Sequence, residues 1–176
     1  MLRGRHTGPM TLATLTIGDS SVMLRRATVD DVPAIISLIA ADQLATSRGD
    51  SARPDDLAAY ERAFHRIDGD DSQLLVVADA PGAPVIATMQ LTFIPGLSRA
   101  GSTRLQIEAV RVRRDHRDRR IGEAMMRWAC DEGVRRGATL AQLTSDRSRT
   151  SAHRFYERLG FVPSHVGFKR RLDPQP

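Results

Sequence analysis

Little in this 176-residue chain can form a covalent or metal cross-link. Cys130 is its only cysteine, which excludes an intrachain disulfide and a multi-thiolate zinc cluster and fits a reducing, cytoplasmic compartment. The five histidines, His6, His65, His116, His153 and His165, share no metal-ligand spacing, so no metal is expected. Aromatic residues make up only 5%, leaving few rings on which nucleic-acid bases could stack. No apolar run approaches the roughly eighteen residues that read as a membrane span. Residues 1–20 lack the apolar region and small-residue cleavage site of a signal peptide; they read as a flexible tail. Lysine is nearly absent: Lys169 stands alone, so of 26 basic residues 25 are arginines.

What remains is a globular composition, 41% hydrophobic and 27% charged, with length enough for one well-buried core over residues 21–173. The net charge is +5, and most of it sits in one place. Residues 111–120, RVRRDHRDRR, hold six arginines against two aspartates, +4 in ten residues. Such a segment suggests an anionic partner.

Periodicity predicts a strand over Val22–Thr28, then a helix capped by Thr28 with Val32, Ile35, Ile36 and Ile39 as its apolar stripe. A second helix starts near Pro54, with Leu57, Tyr60, Phe64 and Ile67 on one face. Leu74–Asp79 and Val85–Phe93 read as an antiparallel pair across the APGAP turn. Strand 103–113 follows, then a helix carrying Ile121, Met125, Trp128 and Ala129 and stopped by Gly137. Thr139–Thr144 reads as a strand, Ser151–Leu159 as a helix and Phe168–Leu172 as a last strand. The fold class is therefore α/β or α+β, with amphipathic helices covering a mixed sheet. Cys130 reads as a buried, inert thiol. Asp42, Asp50 and Asp55 read as solvated surface, with an acidic acceptor mouth as the alternative.

Strand 103–113 carries an anomaly. Leu105, Ile107 and Ala109 share one face at period two, but Val110 and Val112 fall in the other phase. A slip of this kind is the mark of a β-bulge near Ala109–Val110; the alternative is that both valines face a second apolar layer. Next, a basic turn runs straight into a helix, whose first N–H groups and dipole make an anion site. Gly122 would let a pyrophosphate approach, although a solvated charged face explains the arginines equally well.

The run IEAVRVRRDHRDRRIGEAMM resembles motif A of the GNAT superfamily of acetyl-CoA-dependent N-acetyltransferases, and TSDRSRTSAHRFYERLGF at 144–161 resembles its motif B. That resemblance implies a mixed, mostly antiparallel sheet of about six to seven strands, splayed at the cofactor cleft and flanked by about four helices. It implies acetyl-CoA held by the backbone of Val110, Arg111 and Val112 and by the pyrophosphate loop Arg117, Asp118, Arg119, Arg120, Ile121, Gly122 and Glu123. Arg120 stands where the family's first loop glycine usually is. Ser145, Arg149, Ser151, Ala152 and Tyr156 would approach the cofactor from motif B. Glu108 maps to the family's general base, and Tyr156 to the tyrosine that returns a proton to the departing thiolate. Gly160 would close the motif B helix in a left-handed conformation, with Phe161 packing after it.

The activity implied is transfer of an acetyl group to a primary amine, of a small molecule or of a protein, in a ternary complex. The first two helices, their Leu44–Arg53 loop and the final strands would line the acceptor, and a homodimer is common for the fold. Two rivals stay open. One keeps the fold as a non-catalytic acyl-CoA sensor. The other uses 111–120 as a nucleic-acid stripe, for which the interleaved aromatics are missing.

Overall fold

A computed structural model describes residues 10–42, 53–170 and 172. Its centre is a six-stranded sheet in which each strand neighbours the next in sequence. The strands are β1 (Thr11–Ile17), β2 (Ser20–Arg26), β3 (Gln73–Ala80), β4 (Ala83–Pro95), β5 (Thr103–Val112) and β6 (Ala138–Gln142). The four helices of nine or more residues among those described are α1 (Val32–Ala40), α2 (Leu57–Asp68), α3 (Ile121–Arg135) and α4 (Thr150–Arg158). The chain divides into two compact units, one ending at Gln142 and holding the sheet, the other starting at Leu143 and holding α4.

Alternation along the strands assigns the two faces of the sheet. Leu74, Leu91, Ile107 and Leu105 are buried and face α3, where a β-carbon on Gly133 would lie 2.9 Å from Leu105 Cδ2. On the opposite face Val77 and Leu75 pack with Ile35, Ile36 and Leu38 of α1 and Phe64 of α2. Both faces are thus apolar through the middle of the sheet, which explains why β3 and β4 read as nearly unbroken hydrophobic runs.

A buried ion network ties the α1 end of the sheet together. Arg25 on β2 donates to both oxygens of Asp31 at 2.6 and 2.8 Å and to Asp79 on β3 at 2.6 Å. Asp31 also accepts from the Thr28 backbone N–H and hydroxyl at 2.8 and 3.0 Å. Burial would push the Asp31 carboxyl up, yet these donors, Arg25 first, hold it below the usual carboxylate range.

Two expectations need correction. The supposed tail contains β1, which pairs antiparallel with β2; its threonines mix polar and apolar residues as an edge strand tolerates, so no strong alternation announced it. No strand forms over the described part of Phe168–Leu172. Phe168 is 93% exposed, and an extended segment without a ladder partner gains nothing from its β-propensity. No helix among the described residues is long and apolar enough to cross a membrane.

Candidate active site

The anomaly in β5 is a real bulge. β4 and β5 are antiparallel, with Thr88 opposite Arg111 and Gln90 opposite Glu108. Met89 alone therefore spans Ala109 and Val110. Ala109 takes the left-handed conformation, φ +52°, which lets the strand absorb its extra residue. The apolar-layer alternative falls, because the slip in phase is matched by a slip in register. β5 pairs in parallel with β6 only as far as Gln106 opposite Gln142, while β5 continues to Val112. β6 ends at Gln142, so Glu108 to Val112 run on without a β6 partner.

Guanidinium groups organise this stretch. Arg111 donates to the Val110 carbonyl at 2.8 Å and to Asp42, just after α1, at 2.6 Å. The Asp42 side chain is only 7% exposed, so this residue is a buried ion-pair partner and not solvated surface. Arg117 reaches back to the Val112 carbonyl at 3.1 Å. Asp115 is bridged by Arg113 at 2.8 Å and by His116, which holds its carboxyl far below the usual range.

The turn into α3 has left-handed backbone at two non-glycine positions, Asp118 (φ +60°) and Arg120 (φ +58°). Arg120 is the N-cap of α3, and no side chain caps the helix. The N–H groups of Ile121, Gly122 and Glu123 precede the first intrahelical bond, from Ala124 to the Arg120 carbonyl at 3.0 Å. They are donors that a helix start leaves for an anion. Arg114, Arg117, Arg119 and Arg120 are exposed around them. A long anionic molecule with a polar, amide-bearing arm fits these features: donors and guanidinium groups for its charge, and a bulged strand that runs on without a β6 partner for its arm.

Glu108 is exposed, one residue before the bulge. It shares a sheet face with Gln90, Gln106 and, because the bulge restores the phase, Arg111. That face bears a row of amides not anticipated from the sequence. Gln73, Thr92, Gln106 and Gln142 stand opposite one another across four strands. Gln73 Oε1 accepts from Gln90 Nε2 at 3.1 Å and from Thr92 Oγ1 at 2.8 Å. Gln106 Oε1 accepts from Gln142 Nε2 at 2.7 Å. Gln90 and Gln106 interrupt the apolar strands β4 and β5, while Gln73 opens β3 and Gln142 ends β6; only the register aligns them.

In the second unit, α4 carries Ser151, Ala152 and Tyr156. The Tyr156 ring makes edge contacts with Phe155 at 5.2 Å and Phe161 at 6.1 Å. Gly160 has φ +87°, and the N–H groups of Gly160 and Phe161 bond the Glu157 and Tyr156 carbonyls at 2.9 and 3.1 Å, which is the expected left-handed helix end. The Ser145 hydroxyl is buried without a hydrogen-bond partner among the described residues. Arg149 is the N-cap of α4. Asp50 and most of the Leu44–Arg53 loop lie outside the described residues. Cys130 is half-buried on α3, and burial pushes its thiol up, as an inert cysteine requires.

Comparison with known proteins agrees with this geometry. The profile of the acetyltransferase (GNAT) family matches residues 38–161. The crystal structure of a transcriptional regulator from Bacillus halodurans C-125 superposes with a TM-score of 0.81 at 37% identity, covering 86% of this chain and 99% of that one. Glucosamine-6-phosphate N-acetyltransferase from Arabidopsis thaliana shares the fold, with a TM-score of 0.69 at 17% identity over 86% of this chain and 99% of that one. The aminoalkylphosphonate N-acetyltransferase of Salmonella typhimurium is 39% identical over 56 residues, which are 32% of this chain and 36% of the relative's own length. The match thus spans about a third of that curated relative.

Proposed function

The chain belongs to the GNAT acetyltransferase family, and from that premise we propose that it transfers the acetyl group of acetyl-CoA directly to a primary amine. The observation that carries the reading is the bulge at Ala109–Val110, in the stretch of β5 that continues past the end of β6, together with the uncapped start of α3. The backbone of Val110, Arg111 and Val112 would hold the pantetheine arm as an added half-strand. Arg117, Asp118, Arg119, Arg120, Ile121, Gly122 and Glu123 would hold the pyrophosphate, by N–H groups at the helix start and by guanidinium charge. The resemblance of 144–161 to motif B assigns further cofactor contacts to Ser145, Arg149, Ser151 and Ala152.

Bound acetyl-CoA supplies an activated acetyl thioester. The chain's own work is to manage protons. An amine acceptor arrives mostly as ammonium at neutral pH, and Glu108, exposed before the bulge, takes its proton directly or through water. Tyr156 gives a proton to the departing sulfur; a phenol of pKa about 10 is a fair donor to a thiolate whose acid has a pKa of about 8.5.

Thermal unfolding with and without acetyl-CoA tests the cofactor. At a hundred times Kd a native-state ligand adds about 2.7 kcal/mol, roughly 5–10 °C for a chain of this length. Glu108→Gln should then cut kcat by at least about a hundredfold with an amine that the wild type acetylates, and leave the thermal shift in place. A shift with no turnover of any amine by the wild type would favour the acyl-CoA sensor instead.

A further inference from the structure

We infer that the amide row on the Glu108 face of the sheet is the floor of the acceptor site, and that it selects an amine carried on a hydroxyl-rich body, an amino sugar. The inference rests on the acetyltransferase reading and adds the substrate class to it. Gln73, Thr92, Gln106 and Gln142 are in register across β3, β4, β5 and β6, with Gln90 one step along β4 and directly opposite Glu108. All five are half-buried, so their outer atoms reach solvent from the sheet surface.

The hydrogen bonds within the row fix which atoms face outward. Gln73 and Gln106 spend their oxygens on neighbours, which turns each Nε2 outward as a donor. Gln90 and Gln142 spend a nitrogen on those same bonds, which turns each Oε1 outward as an acceptor. Donors and acceptors therefore alternate over the face. Hydroxyl groups, which both donate and accept, match such a surface; a hydrocarbon chain would strip the amides of water and return no bonds.

Charge points the same way. A second cation on the acceptor would want a second carboxylate, yet Asp42 is already tied to Arg111 at 2.6 Å, and Asp70 at the far end accepts from the Ser72 N–H and hydroxyl at 2.8 and 2.7 Å. Beside Glu108 a phosphonate or carboxylate would want a guanidinium, and Arg111 is committed by that same pair; the exposed Arg66 stands only at the far end of the row, by Gln73. From Glu108 to Gln73 is about 12 Å, two strand spacings and one step along the strand. At that far end Gln73 also lines an open groove of about 400 Å³ with Ala63, Arg66, Ile67 and Asp70, so an acceptor longer than a simple alkylamine has room.

Equilibrium binding to the full chain tests this without needing turnover. D-glucosamine and 1,6-diaminohexane would be titrated by isothermal calorimetry into the wild type and into Gln106→Glu and Gln73→Glu. Each variant keeps the oxygen that accepts inside the row and replaces only the outward donor with a charged acceptor. The wild type should bind glucosamine at least tenfold more tightly than the diamine, and each variant should narrow or reverse that ratio by about tenfold. A wild type that prefers the diamine, equal binding of the two, or a ratio unmoved in folded variants overturns the inference. If one variant does not fold, the other carries the comparison. Failure of the acetyltransferase reading would look different: no acetyl-CoA shift and no acetylation of any amine, with the glucosamine preference and its reversal still measurable.

Discussion

Arg120 shows how one backbone angle can matter more than a side chain. Its family position favours glycine, and its φ of +58° gives the reason: the turn into α3 needs a left-handed residue. An L-residue there costs about 1–2 kcal/mol, against about 0.5–1 kcal/mol of extra chain entropy for glycine. Arg120→Gly should therefore raise stability by roughly 0.5–1 kcal/mol in urea melts. A loss of stability would mean that the guanidinium makes a contact worth more than the strain. Asp31 is the opposite case, a residue whose side chain is everything. With two bonds from Arg25 and two from Thr28, its neutral replacement in Asp31→Asn should cost about 3 kcal/mol at pH 7, since it leaves a buried guanidinium with one partner fewer. Its carboxyl is held below the ordinary value, so its stabilisation is complete above a pH of about 4 and fades as pH falls through the folded-state value. The acid limb of a pH–stability curve should be shallower in Asp31→Asn than in the wild type.

Among the elements, α3 depends on close approach to the sheet. Gly133 is buried, and a β-carbon there would sit 2.9 Å from Leu105 Cδ2 and 3.5 Å from Leu105 Cβ. Leu105 itself is fully buried and has little space to yield. Helix propensity alone says that Gly133→Ala should gain about 1 kcal/mol, but overpacking costs about 1–3 kcal/mol. Net destabilisation by about 1 kcal/mol is expected, and Leu105→Val in the same chain should recover part of it. A gain in the single variant would show that α3 can lift without cost. At the same end of α3, the buried Glu132 accepts from Arg135 and, at 2.6 Å, from Arg136, whose guanidinium lies 4.5 Å from the Phe93 ring. Two arginines offset a carboxylate placed unfavourably at a helix C-terminus.

For the molecule as a whole, the charge distribution sets how it meets its cofactor. A net +5, with +4 of it in residues 111–120, makes the region before α3 attractive to a large anion at distances of about a Debye length, 8–10 Å at ordinary salt. Acetyl-CoA affinity should therefore weaken severalfold between about 0.05 and 0.5 M NaCl, as read by calorimetry. An affinity indifferent to salt would assign binding to backbone donors alone and leave the arginines as a solvated face.

Much of this was legible along the chain. Apolar runs placed β3 and β4, and periods of 2 and 3.6 placed β5 and all four long helices, to within a few residues. The bulge was legible too, since a slip in phase is a local property of Leu105, Ile107, Val110 and Val112. The weakly patterned β1 was not, because an edge strand is defined by its neighbour β2 and not by its own threonines. A final strand at Phe168–Leu172 was read from propensity, which cannot supply a ladder partner. Asp42 looked like surface because its partner, Arg111, lies 69 positions away in sequence, and only packing of α1 on the sheet brings them to 2.6 Å. The glutamines were invisible for the same reason. Sequence set the residue types and their alternation; register between strands decided that four amide and hydroxyl side chains would stand in one row beside Glu108.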